Sequence, residues 1–259
     1  MNQIVADLSA LVGLAQGIGW AAALAFIRIG AMVALMPGLG DPAVPQRIKL
    51  ALVVAFTLVV APILSERIGP DASPTFLALG GEAIAGLLLG VGMRLFVVAL
   101  QTAAAMIAQA STLSQLFAGV APEPQPAIGN LFLMASIALA MASGLHVRAA
   151  ELLLVSYDLL PAGAPLSAAA AADWGLGLIG RTFALAFSLA APFTIASLIY
   201  NLALGAINRA MPALMVSMVG APALTLGALA MLAVATPVIL AVWLDAFSSH
   251  LSQPFAVAR

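Results

Sequence analysis

Residues 201–222 read NLALGAINRAMPALMVSMVGAP. Amides, an arginine, glycines and prolines follow at short intervals: Asn201, Gly205, Asn208, Arg209, Pro212, Gly220 and Pro222. The runs on either side are apolar enough for a lipid bilayer. A cation at that depth is costly, so it has a partner or an aqueous route to one. By itself the stretch reads as a charged site inside a membrane, with the other apolar segments as the wall around it.

Composition agrees with a membrane setting. Of 259 residues, 64% are hydrophobic and 7% are charged, with mean hydropathy +1.15. A soluble domain carries about a quarter charged residues, so this chain cannot cover a water-facing surface. The expected fold is an all-α, polytopic membrane protein. A net charge of −1 argues against nucleic acid as a partner, since phosphate binding needs clustered cations. No cysteine is present, which removes disulfides, thiolate metal sites and thiol nucleophiles. The first residues, MNQIVADLSALVGLAQ, lack a basic region and do not read as a cleaved signal peptide.

Charges are sparse enough to partition the chain. About twenty apolar residues cross a bilayer core as a helix, which marks 8–36 as the first region. Gly13 and Gly17 sit there at the spacing that lets helices approach closely. Residues 37–42, PGLGDP, form a loop. Pro45, Arg47 and Lys49 open a second region at 50–64, with the two cations as membrane-end anchors. After the polar stretch 65–74, a long region covers 76–109 and contains Glu82, Arg94 and the Gly86/Gly90 pair, which with Gly92 makes a smooth strip for close helix packing. Glu82 and Arg94 lie about 18 Å apart along one helix, so each needs another partner, water or a headgroup. Residues 109–126 are polar, carry no charge before Glu123, and end in Pro122, Pro124 and Pro126. Such backbone is either an external connector or a segment lining a protein-enclosed cavity.

A fourth region covers 128–160, interrupted at Gly144, Leu145 and His146, with Arg148 and Glu151 spaced to pair. Residues 161–173 form a loop running into alanines, and Trp174 suits an interfacial anchor. The fifth and sixth regions cover 174–205 and 212–250, with Pro192, Pro222 and Pro237 inside them. Six apolar regions, no soluble domain and no visible repeat result. Loop parity places Arg47, Lys49 and Arg209 on one side and Arg67 and Arg259 on the other, too even a split to orient the chain.

No phosphate-binding glycine loop, zinc-protease motif or serine-hydrolase elbow is present. Ser217 and His250 are candidates for a nucleophile and base only by default, and His146 is a weak metal candidate. The expectation is a protein that is not an enzyme and holds no cofactor.

Two elements resemble the FliR family, a membrane component of the flagellar type III export gate with counterparts in virulence injectisomes. One is Pro45, Arg47, Lys49 and Leu50. The other is Asn201, Leu202, Leu204, Gly205, Asn208, Arg209 and Pro212, followed by Gly220 and Pro222. Arg28 with Pro37, and Gly144-Leu145-His146, also match, and the resemblance runs nearly end to end. It departs at Ala105, Ala108 and Thr112, where the family often has a glutamate and two glycines. It departs again at Ala213, Met215 and Ser217, where the family tends to have Gln, Asn and Phe.

The resemblance implies a FliP-like part over about 1–170 and a FliQ-like helical hairpin over about 171–259. It implies partners: FliP-like and FliQ-like subunits in a closed ring, FlhB-like and FlhA-like export components, membrane lipids, and unfolded secreted proteins in transit. The place implied is the bacterial inner membrane at the flagellar basal body. The central loop, Thr112, Leu113, Ser114, Gln115, Leu116, Phe117, Ala118 and Gly119, would plug the closed pore, with Phe117 as the bulky residue. On this reading 201–222 becomes the turn of a hairpin packed against ring neighbours. The alternatives are an injectisome gate subunit, or a small-solute transporter using Glu82, Arg94 or Arg209.

Overall fold

The computed structural model describes residues 2–68, 75–111, 127–164, 167–210 and 216–255. Among these described residues seven helices follow in order: α1 (Asn2–Leu35), α2 (Gln46–Arg67), α3 (Phe76–Ser111), α4 (Ala127–Ala142), α5 (Leu145–Leu159), α6 (Ala168–Ala210) and α7 (Val216–Ser252). No strand occurs among the described residues. Five helices are long and apolar enough to cross a membrane, and the α4–α5 pair makes a sixth span if counted as one. The expected all-α, multi-span fold is present.

The helices differ from the six expected regions for local reasons. The fourth region is two helices bent by 71°. The break falls at Gly144, whose φ of +80° is a left-handed conformation that glycine adopts without a Cβ penalty. The alanine run expected in a loop already belongs to α6, which starts at Ala168. Alanine has the highest helix propensity, so five in succession extend the helix towards its N-terminus. Pro45 is the residue before α2, with φ −57° and ψ 139°, and loses nothing by lacking an N–H there. Arg148 and Glu151 form no ion pair.

The chain divides into two compact units. The first comprises Met1–Arg94, Gly144–Leu178 and Ser249–Arg259, and the second Leu95–Ser143 and Ile179–Ser248. Helices α3, α6 and α7 therefore contribute to both.

In the first unit, α1 buries one face: Ala21, Leu24, Ala25, Ile29, Met32 and Val33, at spacings of three and four. Glycines of α3 meet this helix. A Cβ on Gly86 would lie 2.1 Å from the Arg28 carbonyl oxygen, and one on Gly90 would lie 2.8 Å from the Met32 carbonyl oxygen. The Gly86/Gly90 pair is thus the contact strip the sequence suggested, whereas Gly13 and Gly17 face open space. Near the carboxyl end, the Trp174 indole N–H donates to the Pro254 carbonyl at 2.9 Å.

In the second unit, Trp243 is fully buried and donates its indole N–H to the Phe96 carbonyl at 2.7 Å. Its ring stacks on Phe247 at 5.2 Å, and Phe247 meets Phe96 at 5.8 Å. Many apolar side chains nonetheless point outward, Phe183 and Val234 in this unit and Leu58 in the first among them. Thr102, Thr194 and Thr236 turn their hydroxyls back to carbonyls four residues earlier, which satisfies them within the helix.

The glycine contact yields a test. Gly86→Ala forces a methyl onto a backbone oxygen that cannot rotate away. It should destabilise the protein by about 1–3 kcal/mol, the usual cost of overpacking, while Gly17→Ala should have little effect. Thermal unfolding in detergent followed by tryptophan fluorescence separates the two; equal midpoints would refute the close α1–α3 approach.

Candidate functional site

The most concentrated polar chemistry lies inside the first unit. Arg28 of α1 and Glu82 of α3 are each only 1% exposed. The Arg28 Nε donates to Glu82 Oε2 at 2.6 Å and Nη2 donates to Oε1 at 3.1 Å, the two-pronged geometry that suits guanidinium and carboxylate. Nη1 donates to the Ser156 hydroxyl at 3.0 Å. Nη2 also donates to the Leu160 carbonyl at 2.9 Å. The guanidinium carbon sits 3.8 Å from the centroid of the Tyr157 ring, close enough for a cation–π contact. On the other side, Glu82 Oε1 accepts the Gly163 N–H at 2.9 Å.

Each partner is delivered by a local feature. Ser156 and Tyr157 close the last turn of α5, and Ser156 passes its own hydrogen to the Leu153 carbonyl at 2.6 Å. Gly163 has φ +73°, a conformation that favours glycine. Gly81 leaves room beside it: a Cβ there would meet the Ala164 carbonyl at 3.1 Å. The connection from α5 to α6 is thereby drawn against α3. The Tyr157 hydroxyl is buried without a hydrogen-bond partner among the described residues, so this residue contributes chiefly through its ring.

Chemically, the cluster is a clamp. Both charges are withdrawn from water, and their hydrogen-bonding groups are engaged by α1, α3, α5 and the loop after α5. A coupling site must exchange partners during a cycle; the bidentate pairing and burial of Glu82 do not offer a free face for that.

The other residues singled out from the sequence are more scattered. Arg94 reaches Asp41 at 4.0 Å, with both side chains partly exposed. Lys49 Nζ donates to the Gly40 carbonyl at 2.8 Å, and Arg47 is exposed. Asn201, Gly205 and Arg209 all lie in the last turns of α6 and are exposed. The Asn201 amide donates to Ser197 Oγ at 3.2 Å, and Ser197 donates to the Ala110 carbonyl at 2.6 Å. That links α6 to the end of α3. Arg209 pairs with no described carboxylate. The side chains of Asn208, Gly220 and Pro222, together with Pro212 and the whole loop from Thr112 to Gly119, lie outside the described residues. His146 is exposed, and no group able to hold a metal ion occurs among the described residues.

Sequence reasoning did not pair Arg28 with Glu82. A usable signal existed, because these are opposite charges inside two different apolar spans, and each needs a partner.

A family model described as bacterial export proteins, family 1, matches residues 20–250. Three curated relatives carry the name flagellar biosynthetic protein FliR. That of Caulobacter vibrioides is 35% identical over 234 residues, covering 88% of this chain and 93% of its own length. That of Escherichia coli K12 is 31% identical over 207 residues, 78% of each chain. That of Pectobacterium carotovorum is 31% identical over 212 residues, 78% of this chain and 79% of its own. The family match contains Arg28, Glu82 and the whole of 201–222.

The clamp predicts a particular pattern of mutant stability. Removing one partner leaves a buried charge alone and should cost about 3–5 kcal/mol. Arg28→Met and Glu82→Met should each do so, while the double variant should be more stable than either single one. Tyr157→Phe keeps the ring over the guanidinium and should be close to neutral; Tyr157→Leu should lose about 1–2 kcal/mol. A double-mutant cycle in detergent reads both; additive losses for Arg28 and Glu82 would show that they do not interact.

Proposed function

The chain belongs to bacterial export protein family 1, and from that premise we propose that it is a structural subunit of the flagellar type III protein export gate. The observation that carries this reading is the family match across residues 20–250, joined by the FliR protein of Caulobacter vibrioides along 93% of that protein's length. The flagellar names of the relatives favour the flagellar gate over an injectisome.

In this reading the chain works without catalytic residues. It assembles in the bacterial inner membrane, at the flagellar basal body, with FliP-like and FliQ-like subunits, and FlhB-like and FlhA-like components act beside it. About 1–170 serves as the FliP-like part and about 171–259 as the FliQ-like hairpin. Unfolded secreted proteins pass through the assembled pore. Residues 112–119 plug it when closed, and Asn201, Gly205, Asn208, Arg209 and Pro212 mediate packing against neighbours.

Helix length and surface support an assembly. A bilayer core takes about 20 helical residues, yet α6 has 43 and α7 has 37. Their excess length and exposed apolar side chains, including Phe183, Phe187, Ile195 and Leu198 of α6, suit neighbouring helices as well as lipid. The exposed Arg209 also fits a partner's carboxylate. The clamp on Glu82 disfavours the transporter alternative.

Two outcomes are expected. Deleting residues 113–119 should raise ion leakage through the assembled gate without loss of assembly; an assembled gate with unchanged leakage would refute the plug. Arg209→Ala should reduce co-purification with FliP-like and FliQ-like subunits. Normal assembly with lost export would instead assign Arg209 to the pore.

A further inference from the structure

The cations of the first unit differ in how they are neutralised. Arg28 and Arg67 have carboxylates at 2.6 Å and 2.5 Å, from Glu82 and Asp158. Arg94 has Asp41 only at 4.0 Å, and Arg94 remains 47% exposed. Lys49 gives one hydrogen to the Gly40 carbonyl; an ammonium has three. Gly40 and Asp41 are neighbours in the loop between α1 and α2, so the fold brings Lys49 and Arg94 to the same two residues. Arg47 stands exposed on the same first turn of α2. Among the described residues, only Arg94 of these three cations has a carboxylate within 4.0 Å.

Depth and surroundings point to what they meet. The loop that holds Gly40 and Asp41 joins two helical stretches long and apolar enough to cross a membrane, Ala15–Leu35 and Gln46–Arg67, and the turn between two successive spans lies at a membrane boundary. Arg94 reaches that loop through Asp41. On the same turn as the cations, Ile48 and Leu50 are 54% and 55% exposed. Free cationic donors next to exposed aliphatic side chains, at a membrane boundary, match a phosphate joined to acyl chains. Basic pockets between membrane helices bind such headgroups.

We propose that Lys49 and Arg94, with Arg47 beside them, hold the phosphate of an anionic phospholipid whose acyl chains lie along Ile48 and Leu50. The site stands independently of the export-gate reading.

The test uses the protein purified from membranes in mild detergent with the subunits it retains, stripped of lipid. It is titrated with phosphatidylglycerol or phosphatidylethanolamine, and bound lipid is counted by native mass spectrometry. Phosphatidylglycerol should bind preferentially. Lys49→Gln combined with Arg94→Gln should weaken it about thirtyfold, and Asp41→Asn, which removes the competing carboxylate, should tighten it about fivefold. Lys49→Arg with Arg94→Lys should retain binding, and Arg67→Gln should not change it. Unchanged affinity in the glutamine pair overturns the site, as does equal binding of phosphatidylethanolamine. Displacement of the lipid by millimolar inorganic phosphate overturns the lipid assignment in favour of a free anion. If the glutamine pair fails to fold, Asp41→Asn decides, and no tightening there overturns the site.

Discussion

A guanidinium and a carboxylate buried together in an apolar chain impose the tightest constraint on the first unit. Neither Arg28 nor Glu82 can be left alone at 1% exposure, because an isolated ion in a medium of low dielectric is far more costly than a paired one. Their pairing at 2.6 Å and 3.1 Å sets the relative position of α1 and α3. The donors left over then draw in Ser156 and the Leu160 carbonyl, while the carboxylate draws in the Gly163 N–H. One polar cluster thereby specifies where α5 ends and how the chain turns towards α6. Apolar packing alone is less discriminating, since many helix registers bury similar amounts of aliphatic surface.

The glycines of α3 make that pairing geometrically available. Gly86 and Gly90 let the α1 backbone approach within a distance that any side chain would obstruct. Membrane helices gain little from burying apolar groups against one another, because lipid is equally apolar; close packing and polar contacts supply the association instead. The first unit uses both at one helix pair. The second unit relies on aromatic packing, where Trp243 stacks on Phe247 and spends its one donor on the Phe96 carbonyl. In each unit the described buried polar side chains, the Tyr157 hydroxyl apart, are satisfied internally, while many aliphatic groups remain outside, an exterior suited to lipid and to neighbouring helices.

Much of the fold is legible in the sequence alone. Sparse charge and long apolar runs give the class, because no other arrangement hides so much apolar surface. Family membership was legible from Asn201, Gly205, Asn208, Arg209 and Pro212. Boundaries were less so: alanines 168–172 read as loop beside a proline-containing stretch, although their propensity carried α6 through them. The stretch 201–222 drew attention as a buried charge, but Arg209 is exposed, and the buried arginine among the described residues is Arg28. Periodicity could not distinguish them, since both sit among apolar residues. Of the residues expected to act in assembly, the structure describes Asn201, Gly205 and Arg209 on the exposed last turns of α6; the expected plug, from Thr112 to Gly119, lies outside the described residues.

The sequence by itself determined a helical membrane protein without cysteine chemistry, its six apolar regions and its family, because these depend on composition, local propensity and short motifs. Tertiary structure alone decided which charges meet. Arg28 meets Glu82 across two spans, Lys49 and Arg94 converge on Gly40 and Asp41, and Asn201 reaches the end of α3 through Ser197. Ion pairs and hydrogen bonds act over a few ångströms, whereas the partners stand tens of residues apart along the chain. Only the packing of the helices sets those distances.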